Sequence, residues 1–160
     1  MFVLCSFASY AQKCSCDFLI NPEYDKSISL YEKPNGKVVK HARHDVVGEA
    51  FLTGVLLQDS AGYFKVSLKH NMMKVAYMGW VKKAEYIGTM TKDYSGKLKL
   101  YTNADAKSKV KVVVKGMNGI YKVTGCKGKW PYVEIIVDGK LYSGWLNPED
   151  QCNNPYTTCN

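Results

Sequence analysis

Histidine is scarce in this chain of 160 residues: His41, His44 and His70 are its three, and all lie in the first half. A cysteine nucleophile needs a base to activate it and a third group to orient that base. Cys126, the one cysteine inside the second β-rich stretch, therefore has no nearby activator. His41 and His44 are three apart in a segment of strand or loop character, where that spacing does not converge two ligands, and no carboxylate and cysteine set completes a tetrahedral metal site with them. Asp45 and Glu49, Asp59, and Glu134 and Asp138 fall in turns or along strands, with no pair that spacing places across a cleft. Phosphate-cradling glycine motifs are missing; Gly116-Met117-Asn118-Gly119 and Gly125-Cys126-Lys127-Gly128 have the composition of tight connections. No apolar run approaches the roughly 20 residues of a membrane-spanning helix, and no segment keeps a helical period over three turns. The chain is also too short for a (β/α)₈ barrel or a doubly wound domain with a substrate domain. These absences lead to the expectation of a noncatalytic protein with no cofactor, no metal and no transmembrane segment.

Acidic residues are outnumbered, with 14 Asp plus Glu against 22 Lys plus Arg, for a formal charge of +8. Such an excess draws a protein towards nucleic acid, acidic glycans or wall polymers without choosing among them. Residues 1–11 carry no charge: an apolar run from Met1 to Ala8 is followed by Ser9-Tyr10-Ala11, with small residues one and three positions before a cut ahead of Gln12. This is the pattern at the end of a secretory signal, here without a basic n-region. Export to the periplasm or exterior is expected, and with it nucleic acid is removed as a partner. Lysines alternating along strand-like segments fit an ordinary solvated β face.

What the chain has in quantity is a repeated β pattern. Ile28 to Gly36, Gly62-Tyr63-Phe64-Lys65-Val66-Ser67-Leu68 and Gly79-Trp80-Val81 recur in the same order, about 65 to 70 residues later, as Leu98 to Asp105, Trp130-Pro131-Tyr132-Val133-Glu134-Ile135 and Gly144-Trp145-Leu146. Phe64, Val66 and Leu68 share one strand face and Tyr63, Lys65 and Ser67 the other. Val133, Ile135 and Val137 alternate likewise with Trp130, Tyr132, Glu134 and Ile136. Asn35-Gly36, Asp59 to Gly62, Gly125 to Gly128 and Asp138-Gly139 punctuate the strands as turns. Short pieces at Lys82 to Glu85 and Pro148 to Asp150 are each sized for one 3₁₀ turn.

The order of these motifs resembles the bacterial SH3 family, the SH3b domains of exported and cell-wall proteins, in which a short opening strand, a Gly-Trp-x-x-Val strand and a closing Gly-Trp-Val follow one another. The cysteine-containing ending Gln151 to Cys159 resembles that of exported SH3-like proteins of the Bacteroidetes group. The resemblance implies an all-β fold of two tandem small SH3-like barrels of short antiparallel strands: residues 27–88 and 95–152, preceded by the signal segment 1–11 and an N-terminal arm, 12–26, and followed by a tail, 153–160. It also implies a shallow face where Tyr31, Tyr63, Trp80, Tyr101, Trp130, Tyr132 and Trp145 gather to receive a cell-envelope peptide, peptidoglycan or a protein partner. Two alternatives stay open: a structural protein whose aromatic faces are used in lobe packing or oligomerisation, and an inhibitor of an envelope enzyme. On such a barrel the loops carrying Cys126 and Cys152 border the same end, which favours a Cys126 to Cys152 bridge over a local Cys152 to Cys159 one. Cleavage before Gln12 leaves five cysteines, hence at most two intrachain pairs and one leftover thiol. Mass spectrometry of the exported native product is expected to find its N-terminus near Gln12; an intact Met1 terminus in the cytoplasm would defeat the export expectation.

Overall fold

The computed structural model describes residues 11–43, 50–74, 76–92, 97–115, 119–156 and 159. Most of the expected signal segment, together with His44, Asp45, Glu49 and residues 116–118, lies outside the described residues.

Alternating apolar and polar residues, rich in valine, isoleucine and tyrosine, produce strands throughout. They are β1 (Gln12–Ile20), β2 (Ile28–Tyr31), β3 (Val38–Ala42), β4 (Leu52–Ser60), β5 (Tyr63–His70), β6 (Ala76–Lys82), β7 (Ile87–Thr91), β8 (Lys97–Tyr101), β9 (Val110–Lys115), β10 (Tyr121–Lys127), β11 (Trp130–Val137), β12 (Lys140–Leu146) and β13 (Gln151–Cys152). The Pro148–Asp150 segment makes one 3₁₀ turn, capped by Asn147, whose side chain accepts from the Glu149 N–H at 3.1 Å. Proline directly after an asparagine cap is a favoured start, because the missing N–H needed no partner there.

Hydrogen bonding runs in the order β3-β2-β6-β5-β4-β1-β7-β10-β11-β12-β8-β9, with β13 added on β7. The ladders between these strands are antiparallel. The expectation of two tandem SH3-like barrels is overturned: one continuous, open 13-stranded sheet takes in the strands of the described residues, and the resemblance to the bacterial SH3 family does not hold. The reason lies in the segment expected to be an accessory arm. Phe18, Leu19 and Ile20 are buried in succession at 0%, 0% and 1% exposure, so the end of β1 is covered on both faces, while Lys13, Ser15 and Asp17 before it are exposed, and the strand lies inside the sheet. One edge of β1 pairs with β4 from Gln12 to Leu19, and at Leu19 and Ile20 the other edge pairs with β7. Strand β7 in turn pairs with β10 and β13. The first five-strand run, β2 to β6, is thereby bonded through β1 and β7 to the second, β8 to β12, and neither closes on itself.

The buried side chains form one cluster drawn from both runs, including Phe18, Leu30, Leu56, Phe64, Val66, Val81, Leu100, Tyr121, Val133 and Leu146. Turn chemistry fixes the registers. Asp138 and Gly139, with φ of 50° and 74°, form the two-residue connection between Val137 and Lys140, the left-handed pair that a tight hairpin demands. Gly125 and Cys126, by contrast, belong to β10 rather than to a turn, and a bulge between Val123 and Gly125 accommodates the extra residue.

Gly54 on β4 lies where an added Cβ would strike the Ser67 carbonyl of β5. Gly54→Ala is expected to lower the unfolding free energy by about 1–3 kcal/mol, while Lys97→Ala on an exposed position should stay within about 0.5 kcal/mol. Urea titrations of the two variants beside the parent protein check this.

Candidate functional site

The strand period delivers the aromatic residues to the less buried face, but the two runs use them differently. In the first run, Tyr31 on β2 stands opposite Trp80 on β6. Tyr63 on β5 meets the Tyr31 ring edge-on at 5.7 Å and donates its hydroxyl to Asn35 Oδ1 at 3.2 Å. Alternation alone would point Tyr63 outward; covered by the Tyr31 ring and the β2–β3 turn, it is only 5% exposed. Trp80 and Tyr31 remain half-buried, with the Lys82 ammonium 5.9 Å from the centre of the Tyr31 ring.

In the second run, Trp145 on β12 sits in register between Tyr132 on β11 and Tyr101 on β8. Trp145 packs edge-on against Tyr132 at 5.2 Å, and Trp130 against Tyr101 at 5.6 Å. All four are half-buried, so each keeps part of its ring in contact with solvent. Lys111 crosses this group, donating to Tyr132 Oη at 3.0 Å and to Ser143 Oγ at 3.1 Å. The hydrogen bond from that ammonium, with a second from Ser143, holds the Tyr132 phenol below its ordinary pKa.

Trp130 also lines a groove of about 780 Å³ shared with Asp17 of β1, Ala106, Gly128, Lys129, Asn147, Pro148 and Glu149. Burial pushes the Asp17 carboxyl up, against a smaller opposing pull from Lys129. An indole beside carboxylates, an amide and an ammonium is suited to an amphipathic ligand: the ring takes an apolar face, and the polar groups take hydroxyls, amides or charges at its rim. Asp17, Asn147 and Glu149 are absent from the aromatic set expected from the sequence. The one local signal for part of the groove was the Asn-Pro-Glu start of the 3₁₀ turn.

Gly128 joins the groove to a cluster of sulfur. The Ser15 N–H donates to the Gly128 carbonyl at 2.6 Å, and Cys14 bridges Gly128 in parallel, which lays the start of β1 beside the β10–β11 turn. Cys16 and Cys126 form a disulfide with a Cα–Cα distance of 6.0 Å, and Cys152 pairs with Cys159. The expected Cys126 to Cys152 bridge is thus corrected: Cys126 faces β1, while β13 carries Cys152 onto β7. Cys14 is the free thiol among the described residues. It lies in reach of Asp59, whose Oδ2 accepts from the Cys126 N–H at 2.8 Å and whose Oδ1 accepts from Lys83 Nζ at 2.6 Å. Lys83 also donates to the Thr124 carbonyl at 3.0 Å and stands 4.5 Å from the Phe64 ring centre. Burial, with the Asp59 charge adding to it, pushes the Cys14 thiol up to about 11. The sulfurs of Cys14, Cys16 and Cys126 all lie within 4.8 Å of one another. With two of them bonded together, the cluster offers a single thiolate, short of the three or four donors of a zinc site.

Neither protein-family models, curated proteins nor solved structures yield a match to this chain. Among the described residues no helix is long and apolar enough to cross a membrane. The two disulfides fit an oxidising, non-cytoplasmic environment.

Nonreducing peptide mapping is expected to recover Cys16 linked to Cys126 and Cys152 linked to Cys159. The first closes a separation of 110 residues and the second of 7. By loop entropy these limit the unfolded chain by about 5 and about 2 kcal/mol respectively. Replacing Cys16 and Cys126 together by alanine should therefore lower the urea midpoint well beyond the effect of replacing Cys152 and Cys159.

Proposed function

We propose that this chain is a noncatalytic exported binding protein whose groove beside Trp130 holds a cell-envelope ligand, a peptidoglycan fragment in preference to a simple peptide. The observation that carries this reading is the partly exposed Trp130 ring forming one wall of a groove whose other walls bring Asp17, Asn147, Glu149 and Lys129. A sugar ring presents an apolar face to stack on an indole and a girdle of hydroxyls for carboxylate and amide acceptors, and its peptide stem adds charges for Lys129. The T-shaped contact with Tyr101 fixes the Trp130 plane before a ligand arrives, which reduces the ordering cost of binding. Tyr31, Tyr63 and Trp80 are assigned to packing within the first run, a role that the burial of Tyr63 favours. Export is supported by the signal-like start and by the two disulfides.

Titration of soluble peptidoglycan fragments, followed by tryptophan fluorescence and calorimetry, tests the reading. Trp130→Ala is expected to weaken binding about tenfold or more, because roughly 1–3 kcal/mol of ring contact is lost. Trp145→Ala should weaken it less, and Lys97→Ala by under about threefold, since a lone exposed charge is screened. Equal affinities in all variants would remove the groove from the account, and no binding by the folded parent protein would leave the aromatic residues as packing.

A further inference from the structure

The Cys16 and Cys126 side chains are almost closed to solvent, at 0% and 1% exposure, while Cys14 beside them is only half-buried. A free thiol and both sulfurs of a disulfide thus lie within 4.8 Å of one another, and the free thiol is the outermost of the three. From this juxtaposition we infer that Cys14 and the Cys16–Cys126 bond form a thiol–disulfide exchange site, through which small dithiols in the surroundings reach the buried bond. The site adjoins the ligand groove through Gly128, but its chemistry does not depend on what the groove binds.

The internal step is an isomerisation. Cys14 gives its proton to solvent, and its sulfur attacks Cys126 Sγ. The Cys14–Cys126 bond forms as the Cys16–Cys126 bond breaks, the electron pair of the broken bond leaves on Cys16 Sγ, and that sulfur takes up a proton. One thiol and one disulfide exist before and after, so the step consumes neither oxidant nor reductant. An external dithiol then attacks the more accessible Cys14 Sγ. It is oxidised to its own disulfide, and Cys14 and Cys126 are left as thiols. Cys126 is the productive target for geometric reasons. A Cys14–Cys16 bond would have to close within one strand across the single residue Ser15, beside the register shift between Lys13 and Cys16. Cys126 approaches instead from β10.

Two charged groups act on Cys14 from the strands around it. Asp59 at the end of β4 resists its ionisation, and Lys83 just beyond β6 assists it more weakly than burial and Asp59 oppose it. With the thiol up at about 11, only about one molecule in ten thousand carries the attacking thiolate at pH 7. Exchange is therefore slow at neutrality and accelerates about tenfold per pH unit towards pH 11. The same environment that makes the native pairing persistent at neutral pH leaves it open to exchange in alkali.

The test is the rate at which dithiothreitol reduces the Cys16–Cys126 bond in the folded full chain between pH 7 and 9, followed by acid quenching, alkylation and peptide mapping. In Cys14→Ser and Cys14→Ala, reduction is expected to be about tenfold slower than in the parent protein. A slowing of less than threefold in both would overturn the proposal. Circular dichroism establishes that the variants are folded. Should both variants lose their fold, mapping of the parent protein after incubation at pH 9.5 without reductant decides: recovery of a Cys14–Cys126 peptide supports the exchange site, and recovery of Cys16–Cys126 alone overturns it.

Discussion

Because Phe18, Leu19 and Ile20 are buried one after another, the end of strand β1 is covered on both faces, although Lys13, Ser15 and Asp17 before it are exposed. Its two faces need cover and its two edges need hydrogen-bond partners, and a nine-residue strand at the start of the described chain finds them only by being inserted into the sheet. Strand β4 takes one edge; β7 and the β10–β11 turn share the other. The insertion is what makes the two five-strand runs a single object. Each run keeps its own order, with the opening strand of a hairpin lying against the last strand of the run, as Tyr31 against Trp80 and Tyr101 against Trp145 show. Their inner strands, β4 and β10, turn towards β1 and β7 and do not close on their own far edges.

A polar clasp holds that junction where apolar packing gives way to the sulfur cluster. Asp59 accepts from Lys83 and from the Cys126 N–H, and Lys83 reaches on to the Thr124 carbonyl, so one ion pair ties the end of β4, the segment beyond β6 and β10. Partly buried charges of this kind add little net stability when paired, but each leaves the other stranded if removed. Their value here is specificity of register: with Asp59 engaged, β10 is fixed lengthwise against β4, and Cys126 is held where Cys16 can reach it. The same carboxylate that aligns the disulfide also adds to the burial that raises the pKa of the neighbouring Cys14 thiol.

Local patterning made much of this legible. Phe64, Val66 and Leu68 on β5, and Val133 with Ile135 on β11, are buried as alternation requires, and the Asp138-Gly139 turn and the 3₁₀ turn at Pro148 occur where their residues favour them. The all-β character follows from such signals. Whether the strands close into barrels or run on as one open sheet was not legible, because alternation states which face of a strand is apolar and says nothing about which strand bonds to its edge. One overlooked signal was available: Cys14, Cys16, Phe18 and Ile20 alternate on β1 with a period of two, and the added Leu19 marks burial on both faces. Cys14 and Cys16 belong to this alternation because free and paired cysteines pack as small hydrophobes. The partner of Cys126, Cys16, lies in this same segment, which is why the Cys126 pairing was not legible from the two β runs alone. Tyr63 shows a further limit, for a turn residue, Asn35, folds over a position that strand period alone would expose.

The groove and the sulfur cluster share a piece of backbone, and this constrains how each behaves. Gly128, with φ of +59°, occupies a left-handed position that other residues adopt at a cost. Its carbonyl accepts from Ser15 of β1, and the residues beside it in the turn are Lys129 and Trp130 of the groove. Two residues before it stands Cys126, fixed by the disulfide and by Asp59. The turn that presents Trp130 is therefore pinned from behind by a covalent bond, a charge-assisted hydrogen bond and a backbone hydrogen bond. Loss of the disulfide removes one of the three and leaves two. Trp130 itself is further held by Tyr101, a residue of β8 with no part in the cluster. The indole thus keeps its orientation through its contact with β8, and changes in sulfur pairing reach it chiefly through the freedom they give to the turn.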